Sequence, residues 1–76
     1  MTSVEIKYCV PCGFLERAED LQHALLSTFG EQLDAVTLVT GANGVFAVRV
    51  NDEPVFEKHE ETYDVDEIVR RVRDRL

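Results

Sequence analysis

Across Tyr8–Phe14 the hydrophobic pattern of this chain changes period, and that change limits the folds open to it. Val4 to Tyr8, VEIKY, alternates apolar and charged side chains, the two-residue repeat of a half-buried strand. Beyond it, Phe14, Ala18, Leu21, Leu25 and Phe29 recur at helical spacing, with Leu15, Gln22 and Leu26 on the flank and Glu16, Asp20, His23 and Ser27 opposite. The spacing predicts a helix from about Pro11 to Phe29. Pro11 suits the first turn, where a missing N–H costs nothing, and Gly30 suits a left-handed cap at the far end. A strand that runs at once into a one-faced helix needs a parallel strand to return to, through a right-handed crossover.

The rest of the chain supplies that partner. Ala35 to Val39 is a β-branched run, Val45 to Val50 a second, and Val55 to Lys58 a short third. Asn51-Asp52-Glu53 is turn chemistry, so the last two strands form an antiparallel hairpin. Pro54 lacks a donor, so the last strand lies at a sheet edge or starts there. A final helix spans Val65 to about Arg75, with Val65, Ile68, Val69, Val72 and Leu76 as its inner stripe. Asp64 is its N-cap and Glu67 completes a capping-box pattern. Its arginines gather near the C-terminal end, where cations complement the helix dipole. The order β-α-β-β-β-α, with one-faced helices, predicts a two-layer α/β sandwich around a four-stranded mixed sheet, one domain over residues 1–76. GANG, Gly41 to Gly44, fits either a hairpin turn or a crossing over one intervening strand, and periodicity does not choose between them.

Composition narrows the chemistry. The formal net charge is −7, from 15 acidic and 8 basic residues. That balance disfavours nucleic acid and anionic membrane surfaces as partners. No apolar run approaches a membrane span, and MTSVEIKYCV lacks the pattern of a signal peptide, so a soluble cytoplasmic protein is expected. The sequence is silent on oligomeric state.

The two cysteines, Cys9 and Cys12, stand where the period changes. At a strand end and in a first helical turn, unpaired amides carry partial positive charge and favour thiolate over thiol. Cys9 is expected to attack a substrate disulfide and Cys12 to displace the product. Pro11 stiffens the intervening loop, Gly13 leaves room for a partner backbone, and Phe14 belongs to the helix stripe, which favours core packing over a place in the site wall. A tight CxxC is a poor staple, because stabilisation grows with loop length. A zinc site needs about four ligands. His23 and His59 are far apart and read as solvated surface residues, which leaves only a zinc shared between two chains. No metal or organic cofactor is expected.

VEIKYCVPCGF, GVFAVRVNDEPVFEK and ETYDVDEIVRRV, taken in order, resemble the selenoprotein W-like proteins of the Rdx group, from end to end of the chain. The resemblance implies a thioredoxin-like fold, strand one flanked by strands two and three with strand four at the edge, and thiol-based redox activity at Cys9 and Cys12. Cysteine at position 12 matches the family's selenocysteine position, which leaves open which sulfur attacks first. Ala47 replaces a Glu usual in the family, and no proline is placed to face the CxxC as in larger thioredoxins. The implied function is thiol–disulfide exchange with protein or low-molecular-weight disulfides, with electrons from a separate reductase. The rival is a non-enzymatic module whose cysteines sense oxidation.

Overall fold

The computed structural model describes residues 2–57 and 63–76. The elements are β1 (Ser3–Cys9), α1 (Leu15–Phe29), β2 (Ala35–Gly41), β3 (Phe46–Val50), β4 (Glu53–Glu57) and α2 (Val65–Arg73), with a 3-10 turn at Gly30–Gln32 after α1. The sheet order is β2-β1-β3-β4. β1 and β2 are parallel, and β1–β3 and β3–β4 are antiparallel. The Gly41–Val45 segment therefore crosses the end of β1 instead of closing a hairpin.

The crossing is tied directly to β1. Cys9 N–H donates to the Val45 carbonyl at 2.8 Å, and Val10 N–H to the Gly41 carbonyl at 3.1 Å. Gly41 is required by the close approach: a Cβ there would meet Val45 Cγ1 at 2.7 Å and the Lys7 side chain at 3.1 Å. Asn51 and Asp52 both take positive φ, 50° and 71°, as a two-residue hairpin turn matched to the twist of β3 and β4 requires.

Alternation sends Val4, Ile6, Tyr8, Phe46, Val48 and Val50 to one face of the sheet. Ala18, Leu21, Leu25 and Phe29 of α1 and Ile68 and Val72 of α2 close over that face, as the helical stripes predict. One expectation fails at the chain end. Leu76 lies beyond α2, past the turn at Asp74–Arg75, and is 44% exposed. β4 is an edge strand, as Pro54 predicts, and Pro54 lies inside it beside a register shift near Val48 and Arg49. Lys58, the expected end of that strand, lies with His59 and Thr62 outside the described residues.

The start of α2 is capped as expected on one side only. The Asp64 carboxylate accepts from Asp66 N–H at 3.0 Å and Glu67 N–H at 3.3 Å. Glu67 does not complete the box. It pairs instead with Arg70 and, at 3.2 Å, with Arg71. Those hydrogen bonds, Arg70 first, hold its carboxyl below the usual carboxylate range. Arg71 also donates to the Val55 carbonyl at 2.9 Å, and Arg75 reaches Glu53 at 2.6 Å. The arginines thus do more than complement a dipole: Arg71 ties α2 to β4, and Arg75 ties the turn after it to the same strand.

Candidate redox site

The helix expected from Pro11 begins four residues later, at Leu15. Glycine is the reason. Gly13 has φ +76°, outside the helical region, and its N–H donates to the Val10 carbonyl at 3.2 Å. Val10–Gly13 is therefore a turn with Pro11 at its second position, where a fixed φ near −65° is already the right one. Phe14 N–H then donates to the Cys9 carbonyl at 3.4 Å and closes the loop. Nothing lies within 4 Å of a Cβ built on Gly13, so conformation, not space, demands glycine there. Cys12 consequently sits in the turn before α1 and not in its first helical turn.

Cys9 and Cys12 are joined as a disulfide, their Cα atoms 5.3 Å apart. The two sulfurs live in different surroundings. Cys9 is fully buried at the end of β1, while Cys12 is exposed at the loop surface. Cys12 lines an open cleft of about 500 Å3 together with Gly13, Phe14, Glu16, Arg17, Asp20, Tyr63 and Val65.

Phe14 and Tyr63 of the cleft wall belong to an aromatic cluster centred on Phe46. Phe46 of β3 meets Phe14, Phe56 and Tyr63 edge-on, with ring centroids 6.1, 6.3 and 5.2 Å apart. Phe14 thus serves packing, as its place in the stripe suggests, and the cleft as well. The Arg17 guanidinium lies 4.7 Å from the centroid of Phe14 and 4.7 Å from that of Tyr63, and 5.9 Å from Phe46, within reach for cation–π attraction. The Tyr63 hydroxyl donates to the Arg17 carbonyl at 3.5 Å, a long bond.

Arg17 and Tyr63 are the cleft residues that sequence reasoning did not place. Arg17 was legible as the lone Lys or Arg in α1, three residues past Phe14. Tyr63 follows a segment without clear periodicity, so only the fold brings it to the CxxC. Burial raises the Tyr63 phenol above the ordinary tyrosine value, Arg17 opposes the rise, and Asp20 adds to it. In a Tyr8→Phe background, absorbance titration should show the remaining phenol ionising above ~10, and Arg17→Gln should move it higher still. The sign follows from burial of the neutral form. The associated stability is fully present below the ordinary tyrosine pKa and is lost as pH rises through the folded value. A phenol that titrates at its ordinary value in both proteins would contradict this placement.

Comparison with known proteins gives one consistent result. The model of the Rdx family matches residues 3–74. A crystal structure of a protein from Bordetella parapertussis superposes with a TM-score of 0.93 at 36% identity, covering 99% of this chain and 98% of that one. The crystal structure of a selenoprotein W-related protein from Vibrio cholerae superposes with a TM-score of 0.88 at 29% identity, covering 96% and 94%. No curated protein matches the chain. The mixed four-stranded sheet with its two helices is the fold of these neighbours. No described helix is long and apolar enough to cross a membrane.

Proposed function

The chain belongs to the Rdx family, and on that premise we propose that it is a thiol–disulfide oxidoreductase that cycles Cys9 and Cys12 between disulfide and dithiol. The observation that carries the reading is the unequal exposure of a bonded pair: one sulfur open to a cleft, the other sealed beneath it.

That inequality favours Cys12 as the entering sulfur, the alternative to Cys9 that the family resemblance leaves open. Exchange begins with attack by a thiolate along a path that must be open. In the reduced protein Cys12 attacks a substrate disulfide, and one substrate sulfur leaves as thiolate. A mixed disulfide then joins Cys12 to the other half. Cys9, deprotonated, attacks the Cys12 sulfur from within and expels the second half. The protein is left with its disulfide, and the substrate has gained two electrons and two protons. A separate dithiol reductase restores the pair by the same exchange in reverse, again entering at Cys12.

The surroundings favour this use. Arg17 places a cation in the cleft that Cys12 lines, and α1 opens without a side-chain cap, so its first amides retain their partial positive charge. Glu16 and Asp20 in the same cleft oppose the effect in part. Pro11 and Gly13 hold the turn that keeps the two sulfurs within bonding distance. Substrates are protein or low-molecular-weight disulfides in the cytoplasm, and the chain needs no resident metal or organic cofactor. The test is reductase-coupled turnover of a small aromatic disulfide. Sustained turnover by the wild type, lost in Cys12→Ser, supports the enzyme. A single stoichiometric oxidation without turnover contradicts it and identifies a sensor.

A further inference from the structure

The two edges of the sheet are finished differently. β4 carries Pro54, a register shift and two exposed acids, Glu53 and Glu57, all devices that discourage further pairing. β2, AVTLVTG, has no charged residue, no proline and seven residues of regular register against β1. In a protein with net charge −7 this is an unguarded edge.

Its outward backbone groups can be named. Gly41 accepts from Val10 of β1, so by strand parity Val39 and Thr37 also face β1, while Val36, Leu38 and Thr40 face outward. The Val36 carbonyl is already occupied: Gln22 Nε2 of α1 donates to it at 2.8 Å. Leu38 and Thr40 are left to present their N–H and C=O groups at the edge. An antiparallel copy of the same strand, with Leu38 opposite Thr40 and the dyad at Val39, offers the matching donors and acceptors and leaves the Gln22 bond in place.

The helix above the edge fits the same partner. Gln22 lies on the flank of α1 that overhangs β2, and the leucines on that flank, Leu15 and Leu26, are 46% and 44% exposed. Exposed Glu19 sits at its outer margin. α1 packs on β1 and β2. A copy joined through β2 would therefore set the two α1 helices about two strand spacings apart, or ~10 Å, the ordinary distance for packed helices. A chain that repels its copies elsewhere would meet one here along a strand that brings no like charges together.

We propose that β2 is a self-association edge: two copies pair antiparallel through β2, forming one eight-stranded sheet with the exposed flank of α1 against its counterpart. Sedimentation equilibrium of the full chain from micromolar to millimolar concentration tests this. The wild type is expected to reach twice the 8.6 kDa mass of one chain. Thr40→Pro, which removes an outward N–H without touching the β1 ladder, and Leu15→Glu, which adds like charge to the flank, are expected to stay at the single-chain mass with unchanged circular dichroism. A wild type that stays at the single-chain mass throughout overturns the proposal, as does a folded Thr40→Pro that still dimerises. Should Thr40→Pro unfold, amide exchange in the wild type decides. Protection of Leu38 and Thr40 that is lost on dilution supports the edge, and exchange independent of concentration refutes it.

Discussion

Phe46→Ala is expected to leave much of the protein unfolded at physiological temperature. Phe46 is completely buried, and its ring is the one that Phe14, Phe56 and Tyr63 all meet edge-on. Truncating a buried phenylalanine to alanine costs about 3–5 kcal/mol in transfer and cavity terms. A domain of this length has only roughly 4–11 kcal/mol of stability in total. The loss falls on the site as well, because the same ring backs Phe14 and Tyr63, which hold Arg17 in the cleft. Urea unfolding should show the midpoint collapsing in Phe46→Ala and falling much less in Phe46→Leu, which keeps most of the volume. A midpoint within error of wild type would mean that the cluster does not organise the core.

The backbone plan was legible in the sequence because each element carries one clean period. The stripe from Phe14 to Phe29 placed the four buried positions of α1, and the alternation in VEIKY and VFAVRV placed the inner face of β1 and β3. What periodicity could not supply was non-local. GANG fits a hairpin turn or a crossing equally by its own composition, and the pairing of Cys9 and Val10 with Val45 and Gly41 makes it a crossing. The beginning of α1 was misjudged for a local reason: Pro11 is a good helix opener, but Gly13 at positive φ interrupts the helix before it can start.

At the site, CxxC marked the two cysteines but not the difference in their surroundings. Cys9 is buried where the crossing segment is tied to the end of β1, and that segment is thirty-odd residues away in the chain. For the same reason Arg17 and Tyr63 gained a role only in three dimensions. Arg17 carries no sign of it in the helical pattern, yet its guanidinium rests on two aromatic rings in the cleft that Cys12 lines.

The division of labour predicts sharply different single-cysteine variants. In Cys9→Ser the accessible sulfur remains but nothing is left to displace the bound half, so the mixed disulfide on Cys12 should persist. In Cys12→Ser the surviving sulfur is Cys9, fully buried with its backbone N–H bound to Val45. It has no open approach in the folded protein. Both variants should lose turnover, for opposite reasons: one stalls after the first step and the other never takes it.

The most direct test is to mix each reduced variant with an aromatic disulfide that releases a coloured thiolate, and to follow the release alongside the intact protein mass. Cys9→Ser is expected to release one equivalent promptly and to hold the other half as a lasting adduct, whereas Cys12→Ser should react only once urea unfolds it. Equally fast labelling of Cys12→Ser in its folded state would contradict the assignment of Cys12 as the entering sulfur and of Cys9 as the sealed one.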